Sequence, residues 1–400
     1  MSLIRPRTKP VLPTRLPPPS RRGVLRGAAA LTAVAAGGAL TGCTGAEAEA
    51  AAPTAPDHYP TAYKEIVEGS RRERKLLIYS NTSQTNWQPV FDAFTAHYPW
   101  LSDIRATNLG NSAVYERYYS EAATGGSPAD LLVSNGGPLW GDYASRDMAA
   151  AYDSPERDHL PDWAEMLPGV WVFTTDPVVI LYNRKTLDES QYPTGLASLA
   201  RLAEAHPSRF RGKIGAYDPS NAYGYCTNQG YSGSVDDGWG TFTRLLPFVR
   251  ADHSSGTLVE KVVSGEYDIS INLSGGVAVP AAEGSAGLLG WSYCEEGTVV
   301  VPRAASIVRT APHPDAARLF LDFLLSAKGQ AAVAAGGLAP YRPGVEQNDI
   351  DSLRDMQRTL GEDRVHLYRY AKVPQETQHA YLERWERAMG QRAMGQRAMG

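Results

Sequence analysis

Four short apolar runs in this chain end in the same way, and that repetition constrains the fold more than any other feature. Residues 75–79 (KLLIY) run into Ser80-Asn81-Thr82-Ser83, and 129–133 (ADLLV) into Ser134-Asn135-Gly136-Gly137. Residues 213–216 run into Tyr217-Asp218-Pro219-Ser220-Asn221-Ala222-Tyr223-Gly224-Tyr225, and 267–273 (YDISINL) into Ser274-Gly275-Gly276. Each run has the length and branched content of a buried strand, and each exit collects hydroxyls, amides or glycines. Helix-compatible segments alternate with them at 63–74, 87–97, 112–123, 196–205, 239–249 (interrupted near Pro247) and 256–264, which Gly265 ends. Further strands are expected at 104–106, 169–174, 177–182 and 298–301. Strands alternating with helices specify an α/β fold with a largely parallel sheet. Ligands of such sheets collect at the carboxyl ends of the strands.

The exits therefore supply the candidate ligand-binding residues: Ser80, Asn81, Thr82, Ser83, Asn135, Gly136, Tyr217, Ser220, Asn221, Ser274 and Gly275. Small polar side chains and free backbone N–H groups before a helix suit phosphate, phosphonate or carboxylate. A helix cap needs only one such residue, so the excess points to binding. Arg303, in the expected loop Pro302-Arg303-Ala304-Ala305, is a candidate bidentate partner for an anion, with pairing to surface acids the alternative. Tyr217, Tyr223, Tyr225, Trp140 and Trp291 are candidate walls for an organic body, with packing the alternative for Trp140.

Residues 1–42 carry seven basic side chains and no acid. They include Ser20-Arg21-Arg22-Gly23-Val24-Leu25-Arg26, which matches a twin-arginine export signal. A weakly apolar run ends in Leu40-Thr41-Gly42-Cys43, so Cys43 is the expected lipidation site and residues 1–42 the removed leader. Residues 43–60 read as a flexible tether rich in Ala, Glu, Pro and Thr. The formal charge is −4, and loss of the leader leaves about −11. A mildly acidic body without a basic cluster excludes nucleic acid as the expected partner. About 340 residues remain, enough for two domains. Cys226 and Cys294 remain besides Cys43, and their spacing leaves open whether they pair. No G-x-S-x-G, HExxH or P-loop is present and the eight His form no cluster, so no enzyme activity and no cofactor are expected. The terminal repeat of residues 389–400 reads as a disordered tail.

Segments LLIYSN, GSPADLLVSN, DPVVILYNRK, GKIGAYDPSNA, SGEYDISINLSGG and TVVVPRAASIVRTAPHPDAARLFLDFLLSAKGQ occur in this order. Together, over residues 76–343, they resemble the extracellular solute-binding proteins of ABC importers, in the branch that includes ferric-iron-binding proteins. The resemblance implies a two-lobed, type II periplasmic-binding-protein-like fold with two hinge-crossing strands, one at 177–182 and one at 298–301, and it puts Arg303 near the mouth of the cleft between the lobes. It places lobe one at 61–176 plus 297–345 and lobe two at 177–296 plus 346–388. It also implies a small-molecule ligand, an ABC permease with its ATPase as partners, a monomer, and a lipid anchor at the outer face of the cytoplasmic membrane.

Iron-binding members of that branch use adjacent tyrosines at the position that here reads Ser274-Gly275-Gly276. Tyr118-Tyr119 is an adjacent pair, but it falls mid-helix, where the side chains diverge. An organic anion is therefore the expected solute and no metal site is expected. Ferric iron and a sensor presenting its ligand to a membrane histidine kinase are the alternatives.

Overall fold

The computed structural model describes residues 56–345 and 350–390. Cys43, the leader and the tandem repeat from 391 onward lie outside the described residues. Eleven strands form one curled sheet. They are β1 (Lys75–Ser80), β2 (Asp103–Asn108), β3 (Leu131–Ser134), β4 (Glu165–Leu167), β5 (Val170–Asn183), β6 (Ile214–Tyr217), β7 (Val249–Asp252), β8 (Ile269–Ser274), β9 (Leu289–Ser292), β10 (Thr298–Ile307) and β11 (Val365–Leu367). The order is β2-β1-β3-β10-β5-β8-β6-β7, with β11 on β10 and β4 and β9 on β5. At one end β2, β1 and β3 are parallel; at the other, so are β7, β6 and β8. The antiparallel pair β5 and β10 joins the two parallel sets.

This arrangement is a two-lobed α/β fold with two crossing strands. All fourteen residues of β5 are buried, so it is one strand rather than the two expected at 169–174 and 177–182. It pairs with β10 through Pro177 and with β8 from Val178, so it changes partners between Pro177 and Val178. Pro302-Arg303-Ala304-Ala305 is not a loop. It lies within β10, with Pro302 opposite Thr175, and the pairing with β5 shifts register between Arg303 and Ala304, leaving Phe173 of β5 as the bulged residue.

Both faces of each parallel set are covered, as such sheets require. In β1, Ile78 packs with Trp87, Phe94 and Phe320 on one face, while Tyr79 packs with Tyr115, Trp140 and Tyr143 on the other. The second lobe closes around Leu199, Phe242, Leu258, Ile269 and Ile271. The helix Pro314–Leu325 returns the chain to the first lobe and is buried on almost every side. Its first turn takes a carboxylate from the neighbouring helix Tyr63–Glu73: Ala316 N donates to Glu73 Oε2 at 2.7 Å. It ends at Leu325, where Ser326 caps a separate helix, Ala327–Ala335. Within it Asp322, 1% exposed, accepts hydrogen bonds from Tyr63 (2.8 Å), Tyr152 (2.5 Å) and Ser154 (2.6 Å).

Residues 239–249 divide into helix Gly238–Leu245, a short 3-10 turn and β7, because Pro247 cannot supply a helical N–H. Ala222, expected in a loop, begins helix Ala222–Ser234, capped by Asn221. The end of the expected tether is docked: the Tyr59 hydroxyl donates to Glu156 at 2.6 Å and its ring meets Tyr63. At the other end β11 leads to Tyr370, which packs in the first lobe and donates its hydroxyl to the Pro302 carbonyl. The following helix, Gln375–Ala388, packs Trp385 into the second lobe's core. Cys226 and Cys294 are both free and buried. Gly137 N donates to the first sulfur and Leu196 N to the second, each at 3.3 Å.

Candidate functional site

A cleft of about 810 Å³ opens between the carboxyl ends of the two parallel sets. Asn81, Thr82, Ser83 and Asn135 reach it from the first lobe, Tyr217, Asn221 and Ser274 from the second, and Arg303 from β10. The local reason is shared: each strand exit turns into a helix whose first turn faces the gap. Ser83 caps helix Gln84–His97 and Asn221 caps Ala222–Ser234. Ser274 follows a bulge in β8 at Asn272, whose φ of 54° suits an asparagine. Asn272 Nδ2 donates to Asn228 Oδ1 at 2.7 Å, which ties the bulge to the helix beside the cleft.

Four sequence candidates do not line the cleft. Ser80 is structural: its hydroxyl accepts from Trp87 Nε1 at 3.0 Å and from Thr82 N at 2.9 Å. Gly136 donates its N–H to Ser134 Oγ at 3.0 Å. Ser220 is exposed, its N–H bonded to Asp218. Gly275 packs against Pro177, where a Cβ would come 2.9 Å from the proline carbonyl oxygen. Of the aromatic candidates, Tyr217 and Tyr223 form a wall, with ring centroids 5.3 Å apart. Trp140 is core, stacked edge-on to Tyr115 and Tyr143. Trp291 meets Tyr293, and Tyr225 meets Tyr381, all away from the cleft.

Sequence reasoning missed Asn108, Gly110 and Asn111 after β2, and His253, Ser254 and Ser255 after β7. Both are polar strand exits of the kind already recognised. The β2 exit was open to the same rule, whereas β7 overlaps the expected helix only at Val249 and is otherwise too short and polar to announce a strand. Gly276, Gly336 and Leu338 complete the floor.

Arg303 is 6% exposed and sits on the floor, not at the mouth where the resemblance put it. Its Nη1 donates to Asn81 Oδ1 at 2.6 Å, and its Nη2 lies 3.5 Å from Asp176 Oδ2. Burial raises the Asp176 carboxyl above its ordinary value, opposed by the Arg303 charge and the Ala339 N–H. No carboxylate side chain lines the cleft among the described residues. Burial pushes the Tyr217 and Tyr223 hydroxyls above the ordinary phenol range, so both stand as neutral groups. The hydroxyls of Thr82, Tyr223 and Ser274 are buried without a well-formed hydrogen bond; Tyr223 and Ser274 are close neighbours. With at most a weak contact between Tyr223 and Ser274 to give up, these three hydroxyls can turn to a bound molecule. Among the described residues no group of three His, Cys, Asp or Glu is placed to hold a metal, and no helix is long and apolar enough to cross a membrane.

A two-lobed α/β body with a polar interlobe cleft is the architecture of a solute receptor. Residues 80–331 match the bacterial extracellular solute-binding protein family, and the chain belongs to it. The substrate-binding protein of an ABC transporter from Agrobacterium tumefaciens superposes with a TM-score of 0.71 at 20% identity, covering 80% of this chain and 96% of that one. AfuA from Actinobacillus pleuropneumoniae, with exogenous fructose-6-phosphate bound, gives 0.64 at 18%, covering 79% and 98%. Iron-bound HitA from Pseudomonas aeruginosa gives 0.59 at 19%, covering 78% and 99%. Iron uptake protein A1 of Synechocystis is 24% identical over 305 residues, spanning 71% of this chain and 80% of that protein. The fold is that of type II periplasmic binding proteins, which hold a small ligand and work with an ABC permease and ATPase.

Proposed function

We propose that this protein captures a small organic anion, phosphorylated, phosphonate or carboxylate, between its lobes for an ABC importer. The observation that carries this reading is the donor bias of the cleft: Arg303 lies on its floor and no carboxylate lines it among the described residues. Neutral donors surround that floor, and the orphaned hydroxyls of Thr82, Tyr223 and Ser274 supply further contacts on closure of the lobes. The bound fructose-6-phosphate of one structural neighbour fits the same chemistry. Lobe one would comprise 61–176 and 297–345, and lobe two 177–296 and 346–388. Export would follow the twin-arginine leader, and lipid on Cys43 would hold a monomer at the outer face of the membrane. A sensor presenting the same anion to a histidine kinase would use the same lobes, and neighbouring permease or kinase genes separate the two roles.

A second reading, ferric iron, is favoured by the Tyr217–Tyr223 wall and by the relative named for iron uptake. Phenolates are hard donors suited to that ion, but no carboxylate lines the cleft among the described residues to join them. Thermal unfolding against a panel of organic phosphates, phosphonates, carboxylates and ferric salts tests the choice. A midpoint raised by an anion class and not by ferric salts supports the first reading. Stabilisation by ferric salts alone replaces it with the second.

A further inference from the structure

The amide groups beside Arg303 have an order that the guanidinium dictates. Arg303 Nη1 can only donate, so the Asn81 atom facing it at 2.6 Å must be the carbonyl oxygen. Asn81 Nδ2 then points the other way, to Asn111 Oδ1 at 2.8 Å and Asn135 Oδ1 at 2.6 Å. Ser134, whose hydroxyl oxygen already accepts from Gly136 N, donates its proton to the same Asn111 oxygen at 2.8 Å. Both carbonyl oxygens are therefore consumed inside the protein. Among the described residues the Nδ2 groups of Asn111 and Asn135 donate to no acceptor, and both residues, 7% and 5% exposed, line the cleft.

We propose that Arg303 is a positioning residue that, through Asn81, fixes Asn111 and Asn135 to present two N–H2 groups to an oxyanion in the cleft. The proposal rests on the anion reading above and deepens it. The cation neutralised by Asp176 sets the polarity of three amides, and the outermost two select a ligand group rich in acceptors over one rich in donors. All four side chains belong to β10 and the first-lobe strand exits, so the relay stands whether the lobes are open or closed.

The orientation is read in ligand-free protein from water exchange of the three side-chain amides, resolved by nitrogen-15 NMR. Slow Asn81 Nδ2 exchange with fast exchange at Asn111 and Asn135 is expected. Asn81→Asp keeps the Arg303 contact but accepts only, so it turns both outer amides over and makes their exchange slow. Arg303→Lys, still a pure donor, keeps the wild-type pattern; Arg303→Met combined with Asp176→Asn, which leaves no buried carboxylate unpaired, loses it. Slow exchange at Asn111 and Asn135 in the wild type, or a pattern that Asn81→Asp leaves unchanged, overturns the proposal. Titration with inorganic phosphate is expected to shift the Asn111 and Asn135 N–H2 signals and to bind Asn81→Asp more weakly by about tenfold or more. A correct exchange pattern with no phosphate shift in the cleft upholds the relay and sinks the anion reading instead.

Discussion

Arg303 and Asp176 stand on the two crossing strands, with Nη2 3.5 Å from Oδ2, at the point where β5 passes from one lobe's sheet to the other's. The pair is 7% and 2% exposed at the side chain. One charge serves two ends: it satisfies a carboxylate at the hinge and orients the amides that line the cleft.

Loss of the guanidinium alone should be costly. Arg303→Met leaves the buried Asp176 carboxyl without its counter-ion, and the expected destabilisation is about 3 kcal/mol or more. Adding Asp176→Asn should recover most of it, because Ala339 N still finds an oxygen there at 3.1 Å in the native arrangement. Urea unfolding of the two single variants and the double variant measures the coupling. Additive losses would mean that the pair does not act as a unit.

The orphaned hydroxyls give the opposite pattern. Tyr223→Phe and Ser274→Ala each remove a buried group that has no well-formed partner, so ligand-free stability should hold or rise by about 0.5–1 kcal/mol. Affinity for the solute should fall in the same variants. Chemical unfolding without ligand and calorimetric titration with it make the comparison; variants losing stability without losing affinity would assign these hydroxyls to the core.

Stability should depend on pH through Asp322. Burial raises its carboxyl from the ordinary 3.8 to about 7, against the opposing effect of the Ser154, Tyr152 and Tyr63 hydroxyls. Between those values the folded protein holds a proton that the unfolded chain releases, so this contribution is complete below about 4 and lost as pH rises through 7. The wild type should lose on the order of a few kcal/mol over that span relative to Asp322→Asn. Unfolding curves of both proteins at pH 5 and pH 8 check it, and parallel behaviour would discount the site.

Most of the strand and helix order was legible because buried strands and polar exits leave local signals. KLLIYSNTS and YDISINLSGG each announce a strand and a turn without help from distant residues. The crossing strands were less legible, since Pro302 and Pro177 look like breaks until β5 and β10 pair around a bulge. Asn81, Asn135 and Ser274 were found because they end strands. Ser80 and Gly136 share that signal but turn inward, a choice made by Trp87 Nε1 and Ser134 Oγ rather than by local sequence. The depth of Arg303 and its partner Asp176 depends on a pairing between residues far apart in the chain, which no local pattern encodes.

The two thiols should be inert in the folded protein. Burial pushes Cys226 up to about 12 and raises Cys294 well above the ordinary thiol range. Iodoacetamide should label neither position natively and both in denaturant without reductant. Labelling that requires reductant would reveal a disulfide in place of the free pair.

Native mass spectrometry of protein purified without refolding tests the central claim most directly. An adduct with the mass of a small organic anion, lost in parallel with binding when Asn81 is changed to Asp, is the predicted result. An iron adduct with visible charge-transfer absorption would contradict it and assign the Tyr217–Tyr223 wall to the metal.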